Sequence, residues 1–406
     1  MNATTPEILD RMAHEVEQEM ICNILPFWLD RMTDTAQGGF YGRIDGLGTL
    51  HAEAARSAVL NMRILWSFSA AYRVTGDQRY LTAATRAKVY IDRHFIDPDY
   101  GGVYWSVNAE GKPLDTKKQI YALGFAIYGM SEYYRATGDT SALHTAQALF
   151  ETIETHAYDP LGEGYFEAFG RDWQEIDDMR LSDKDANERK TMNTHLHILE
   201  PYTNLYRVWP SPRLKASIHR LIILFCDRIV DPVTAHFNLF FGDQWDVRSH
   251  IISYGHDIEG SWLLHEAALV LGDPTLLGKV EPIVRQIAYA AAEGVQPDGS
   301  ICYETDLETG HSDLERHWWP QAESVIGYLN LYQHFADKQA LDRSVAAWNY
   351  IREQLIDPKE GEWYWSRKAD GTPNLADDKA GFWKCPYHNS RMCLEVMERV
   401  KTQHIL

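Results

Sequence analysis

The 406-residue chain is 45% hydrophobic and 24% charged, the make-up of a packed globular protein long enough for several average domains or for one large repeat or barrel unit. A formal net charge of −19 argues against nucleic acid and anionic membrane surfaces as partners, because both require clustered Lys and Arg. Cys22, Cys226, Cys302, Cys385 and Cys393 are scattered and form no CxxC, so neither a disulfide framework nor a zinc cluster is indicated.

The N-terminal stretch "MNATTPEILDRMAHEVEQEM" is polar and acidic and has no apolar signal core. No run approaches the roughly 20 apolar residues of a membrane span, and a cytoplasmic location is expected. From residue 34 onward the chain repeats itself. Turn-like stretches followed by aromatic segments read "DTAQGGFYGRIDG" (34–46), "DPDYGGVYWSVNAEGKP" (97–113), "DPLGEGYFEAF" (159–169), "DPVTAHFNLFF" (231–241), "QPDGSICYE" (296–304) and "DPKEGEWYWSRKADGTP" (357–373). Their starts are separated by 63, 62, 72, 65 and 61 residues, so six units of similar length fill the chain.

Between successive stretches lie two helical patterns split by a second turn, as in "VTGDQ" (74–78), "ATGDT" (136–140) and "LGDPT" (271–275). The helix before that turn is apolar nearly all round, as in "VLNMRILWSFSAAY"; the one after it, as in "YLTAATRAKVYIDRHF", has a single apolar stripe. Helices buried on every side belong inside and striped ones outside. The pattern predicts an all-α (α/α)6 barrel with six inner helices, six outer helices and short β-hairpins at one end, spanning residues 1–406 as a single domain.

Each inner helix follows a hairpin, so all six enter the barrel from the same end, and polar residues unusual for buried helices cluster early in them. In chain order they are Arg63, Tyr121, Asn193 with His197, His256 with Glu259 and Trp262, Trp319 with Glu323, and His388 with Arg391. The spacings Asn193/His197, His256/Glu259, Trp319/Glu323 and His388/Arg391 put both members on one helical face. Buried polar groups are costly unless paired or used, so six such placements at one barrel end point to a lined pocket. Each residue also has a plainer reading. A lone histidine can be a satisfied core residue, and Glu259 and Glu323 can simply favour a helix N-terminus.

His195-Leu196-His197 resembles a metal HxH, but i,i+2 residues on a helix point apart and no acidic partner completes a set, so no metal is expected. Asp257 is expected to point away from His256 and hold the helix start. The acidic loop "RDWQEIDDMRLSDKDANERK" (171–190) reads as a solvated face whose position also allows a lid. Three histidines and Arg63, in a site walled by Trp262, Trp319, Trp363 and Trp383, suit proton transfer alpha to a carbonyl. Imidazole, with a pKa near ~6.5, both takes and gives protons at neutral pH. Two such groups on opposite faces of a carbon can exchange its proton while an arginine stabilises the enediolate. Flat aromatic rings, from 13 Trp and 22 Tyr, suit the C–H faces of a small-molecule sugar.

At these residues the sequence resembles the N-acylglucosamine 2-epimerase superfamily and is most similar to the cellobiose 2-epimerases within it. The motifs that carry the resemblance are "GGFYG", "LNMRILWSFSAAYR", "DYGGVYW", "MNTHLHILE", "SYGHDIE", "WWPQAES" and "GFWKCPYHNSRM". The resemblance implies cofactor-independent inversion at C2 of the reducing-end sugar of a β-1,4-linked disaccharide, through ring opening and a cis-enediolate. It implies that His256 and His388 are the acid/base pair, that Arg63 stabilises the intermediate and that His197 binds the reacting sugar's oxygens. Glu259 would orient His256; Glu323, Asn193 and Tyr121 would contact hydroxyls; Trp319 and Trp383 would stack on sugar rings. Trp383 and the aromatics near Trp363 would hold a second sugar, with Arg391 beside the site. Three positions depart from the pattern: Ala122, where many cellobiose epimerases have Asn, and Phe382 and Ser390, where Pro and Gly are frequent. They fall around the expected outer sugar subsite, which keeps free mannose open as an alternative substrate, by epimerisation or isomerisation to fructose. A glycoside hydrolase using Glu259 and Glu323 is a further alternative, and a monomer or weak homodimer is expected.

Overall fold

A computed structural model describes residues 4–403; the first and last three residues of the expected 1–406 span lie outside the described residues. The chain opens with α1 (Thr5–Glu19), which runs through a π-turn (Met20–Ile24) into α2 (Leu25–Arg31). Five helix pairs follow: α3 (Ala58–Thr75) with α4 (Gln78–His94), α5 (Ile120–Thr137) with α6 (Thr140–His156), and α7 (Met192–Val208) with α8 (Pro212–Leu224). Then come α9 (Tyr254–Leu271) with α10 (Pro274–Ala291), α11 (Trp318–Phe335) with α12 (Lys338–Tyr350), and finally α13 (Tyr387–Gln403). The odd-numbered helices from α3 to α13 pack each on the next, and α13 returns to α3, closing an inner ring. The outer partner of α13 is α1, so the N-terminal helix completes the outer layer. The fold is the expected helical barrel.

Burial follows the sequence pattern. In α3 every residue from Ala58 to Ala71 is buried, whereas α4 buries only Tyr80, Ala83, Ala84, Ala87, Tyr90 and Ile91, one stripe at 3–4-residue spacing. The inner-to-outer corner takes two residues. Gly76 ends α3 at φ +75°, and the Asp77 side chain then accepts the Arg79 N–H to start α4. Gly138–Asp139 and Gly272–Asp273 repeat the device; in the fifth unit Ala336 adopts the left-handed conformation before Asp337.

Six antiparallel bridges mark the hairpins: Thr33 to Phe40, Ile96 to Val103, Tyr158 to Tyr165, Val230 to Phe237, Val295 to Ile301 and Ile356 to Trp363. Each begins one residue before a turn stretch read from the sequence. Asp34, Asp97, Asp159 and Asp357 each accept two turn N–H groups and also pair with a buried cation, namely Arg56, Lys118, Lys190 and Lys379. Arg56, Lys118 and Lys190 lie just before inner helices, so each clasp ties a hairpin to the helix that follows it.

Two- and three-residue strands join neighbouring units. Arg56–Ser57 pairs with Ser106–Val107, Lys118–Gln119 with Ala168–Phe169, and Lys190–Thr191 with Phe240–Phe241. Ile251–Ser253 pairs with Glu304–Asp306 and Arg316–His317 with Ser366–Arg367. An Ile44–Ala380 bridge joins the last unit to the first. The hairpins thus form a collar around the N-terminal ends of the inner helices. Among the described residues, no helix is long and apolar enough to cross a membrane.

Candidate active site

Inside the collar lies a cavity of about 530 Å³ lined by residues from all six inner helices. The helix N-termini converge on it, a setting that favours negative charge. Arg63, Tyr121, Asn193, His197, His256, Glu259, Trp319, Trp383 and His388 all line it, as the sequence pattern expected.

His256 and His388, on α9 and α13, approach the Trp319 ring, with centroid separations of 4.7 and 5.7 Å. His256 Nδ1 shares a 2.9 Å hydrogen bond with Ser253 Oγ, whereas His388 Nδ1 lies 2.7 Å from Glu323 Oε1. Burial pushes His256 down to about 3, with His197 adding to the effect. Burial, then Arg63 and Arg391, hold His388 well below the usual imidazole range. Both rings are therefore neutral in the free site at neutral pH and present lone pairs. Asp257, between His256 and Glu259, points away. It accepts the Phe237 N–H at 2.8 Å and lies 2.7 Å from His236 Nδ1, anchoring the fourth hairpin rather than capping its own helix.

The Arg63 guanidinium lies 4.1 Å from the Phe125 ring centroid and 4.7 Å from that of Tyr387, and donates to Tyr121 Oη at 2.7 Å. Its Nε has no partner, and among the described residues it is in no ion pair. A buried, permanently charged group with a phenol as its hydrogen-bond partner is poised to stabilise an oxyanion. Asn193 Oδ1 is likewise buried without a partner beside the cavity. His197 Nδ1 lies 3.0 Å from Glu200 Oε2, and its ring packs against Tyr121 and Phe125, each 5.0 Å away.

Four expected contacts are corrected, because their side chains lie outside the cavity lining. Trp262 is fully buried beneath it, donating to Glu323 Oε2 at 3.0 Å. Glu323 is buried and spends its oxygens on Trp262, His388 and Arg391, so it holds an imidazole instead of reaching sugar hydroxyls. Arg391 is the hub of that layer, paired with Glu200, Glu259 and Glu323. Trp363 is a bridge residue in the core, donating to Glu19 Oε1 at 2.8 Å. Glu259 also changes partner. Its carboxylate pairs with Arg391 at 2.7 Å and lies 4.0 Å from His388 Nδ1, so it belongs to the His388 side and not to His256. Burial and the adjacent Glu323 push Glu259 upward.

Sequence reasoning missed several lining residues. Glu167, Leu239, Tyr303 and Trp365 each lie two positions after the bridge residue of their hairpin, namely Tyr165, Phe237, Ile301 and Trp363. That register selects Trp365 and places Trp363 in the core. Glu167 accepts from Thr191 and Thr194, and burial raises it to about 7. Residues 180–186 and Glu188, from the loop expected to be a solvated face, also line the cavity, which favours the lid alternative. Gln119 Nε2 donates to the Met179 and Arg180 carbonyls and fixes that loop to the start of α5.

Ala122 and Ser390 are buried outside the lining, and Phe382 packs on Trp105 and Trp383, so the three departures do not narrow the cavity. His195 is a core residue: it accepts the Tyr165 N–H and sits 2.6 Å from the Thr191 carbonyl, away from His197. Glu259, Glu323 and His388 bring ligand-type atoms within 4.8 Å of one another, but the Arg391 guanidinium already bridges both carboxylates. A fixed cation already sits between the two carboxylates and opposes a second one, so the donor set does not fit a metal ion.

The N-acylglucosamine 2-epimerase family model matches residues 39–391. Cellobiose 2-epimerase of Bacteroides fragilis is 57% identical over 386 residues, covering 95% of this chain and 98% of that protein. Cellobiose 2-epimerase of Ruminococcus albus is 40% identical, with 96% and 99% coverage. Among solved structures, cellobiose 2-epimerase from Bacillus thermoamylovorans superposes with a TM-score of 0.92 at 40% identity, over 96% of this chain and all of that one. Matched over most of its length in sequence and fold, the chain belongs to the N-acylglucosamine 2-epimerase family.

Proposed function

We propose that the protein is a sugar 2-epimerase that interconverts the reducing-end glucose and mannose of β-1,4-linked disaccharides such as cellobiose. The observation that carries the reading is the pair of imidazoles, His256 and His388, flanking one tryptophan in a cavity that also holds Arg63, which among the described residues is in no ion pair. In the ring-opened sugar the C1 carbonyl acidifies the C2 proton. One imidazole takes that proton; the C–H electrons form the C1=C2 bond and the carbonyl electrons move onto O1. Arg63 and the helix N-termini stabilise the resulting cis-enediolate. The other imidazole, protonated from solvent once the sugar is bound, delivers that proton to the opposite face of C2 as the carbonyl re-forms, and the first imidazole releases its proton to solvent. The cationic imidazole beside the anion gains attraction that offsets the burial holding both rings neutral in the free site.

His197 and Asn193 are assigned to the sugar's oxygens, and Trp319 and Trp383 to its apolar faces. The outer sugar is assigned to Trp365, Tyr303 and the loop residues 180–186 and Glu188, which line the same cavity. The corrected places of Glu259 and Glu323 count against glycoside hydrolysis, because both bind one arginine and Glu323 does not reach the cavity. A cytoplasmic enzyme acting as a monomer or weak homodimer, with no metal in its cycle, completes the proposal. Incubation with cellobiose in D2O, followed by NMR, tests it: deuterium enters at C2 and a glucosyl-mannose accumulates. Release of glucose, or absence of deuterium at C2, overturns it. Exchange confined to free mannose replaces the disaccharide substrate with a monosaccharide, and a ketose product marks an isomerase.

A further inference from the structure

His197 reaches the cavity while its hydrogen-bond partner, Glu200, does not. Glu200 lies one helical turn further along α7 and is 3% exposed. Its Oε2 faces His197 Nδ1 at 3.0 Å, and its Oε1 accepts from the Tyr387 hydroxyl and from Arg391 Nη1. A carboxylate so surrounded has no freedom to turn, because α13 grips one oxygen while α7 holds the other. Burial works to raise the Glu200 pKa, but Arg391, His197 and Tyr387 outweigh it and hold the group down at about 2. At neutral pH it is therefore an acceptor only, and the proton between the two residues belongs to the imidazole.

We propose that Glu200 is a positioning residue for epimerisation: it fixes His197 as the Nδ1–H tautomer and aims the Nε2 lone pair at the substrate's oxygens. The proposal deepens the epimerase reading and rests on it for the role of His197. Held this way, a neutral His197 accepts a hydrogen bond from a sugar hydroxyl at one defined point, which orients the ring-opened chain between His256 and His388. The opposite tautomer would present an N–H there and select a different set of oxygens. Phe125 and Tyr121 pack against the imidazole, so the carboxylate decides the tautomer while the aromatics limit ring rotation. His388 shows the same arrangement with Glu323, whereas His256 has only a serine hydroxyl. Two of the three histidines are thus aligned by buried carboxylates.

Three measurements on the full-length protein test this. In nitrogen–proton correlation spectra of the histidine rings, without substrate, His197 carries its proton on Nδ1; in Glu200→Ala the proton moves to Nε2. In turnover, Glu200→Gln, which keeps the side-chain volume and one acceptor oxygen, loses about 10–100-fold in kcat with KM changed by less than about threefold, and Glu200→Ala loses more. In a His197→Asn background, Glu200→Gln costs no further activity, because its effect passes through the imidazole. The proposal is overturned by an unchanged tautomer in Glu200→Ala, by Glu200→Gln retaining kcat within threefold, or by losses that add in the double variant. The last result would make Glu200 a packing element of the Arg391 hub. The tautomer is read without turnover, so a failure of the substrate assignment leaves that arm intact and the two failures are told apart.

Discussion

The two ends of the barrel both hold cavities rich in ionisable groups, yet they are built on opposite terms. At the far end, a space of about 400 Å³ is bordered by Arg73, Arg135, Arg207 and Arg399 among glutamates from the inner helices. There each arginine has a carboxylate: Glu132 and Glu398 for Arg73, Glu132 for Arg135, Glu266 for Arg207 and Glu395 for Arg399. At the collar end Arg63 has a phenol, Asn193 Oδ1 has nothing, and two imidazoles share one tryptophan. Charged residues in a cavity do not by themselves mark a site. What marks it is charge and hydrogen-bonding capacity that the protein leaves unspent. Between the two ends lies the Arg391 layer, where one guanidinium is ion-paired with Glu200, Glu259 and Glu323 and the carboxylates serve the histidines above it.

This contrast can be broken or sharpened by substitution. His256→Asn and His388→Asn are each expected to lower kcat by about 10³-fold with the fold intact by circular dichroism; near-normal turnover in either would end the two-base assignment. Arg63→Gln should cost about 10²–10³-fold in kcat, read by steady-state kinetics, because the enediolate loses its cation. Glu323→Gln should cost about 10–100-fold with little change in KM, since it touches His388 and no sugar. Glu398→Gln, at the far end and partly exposed, should cost less than about 1 kcal/mol by denaturant unfolding and leave kcat unchanged. Activity loss there would erase the distinction between the two ends.

Acid offers a further test. His256 is held neutral at about 3 in the folded protein, whereas the unfolded chain takes up a proton near ~6.5. Between those values the unfolded state binds more protons, so this group's contribution is complete above about pH 6.5 and is lost as pH falls toward 3. Thermal unfolding between pH 7 and 5 should show Tm falling with pH, with a shallower slope in His256→Asn. An identical slope in the variant would mean that His256 is not the group responsible.

Much of this was legible in the sequence because the repeat is strict. Every hairpin bridge begins one residue before a turn stretch, and the apolar-all-round helices are the inner ones. Eight of the expected site residues line the cavity because they occupy the first two turns of inner helices, and the ninth, Trp383, lies in the segment that leads into α13. The misses have two physical origins. A helix advances about 1.5 Å per residue, so Trp262, on the third turn of α9, lies below the cavity floor although it shares a face with Glu259. Periodicity shows the face but not the depth. In the hairpins, bends replace regular strand alternation, so Trp363 and Trp365 cannot be sorted without the bridge that fixes their register. Glu200, by contrast, stands three residues after His197, at a spacing the sequence offered openly.

The seam of the ring has a temporal consequence. Residues 380–391 supply the bridge back to Ile44, the His388 imidazole and the Arg391 hub, while α1 waits at the other end of the chain for α13 to arrive. A nascent chain on the ribosome with this stretch still in the exit tunnel has five inner helices, an open side and three buried glutamates without their cation. It holds His256 without its opposite number. The site, with both imidazoles and the Arg391 hub in place, is complete only once the last inner helix fills the gap.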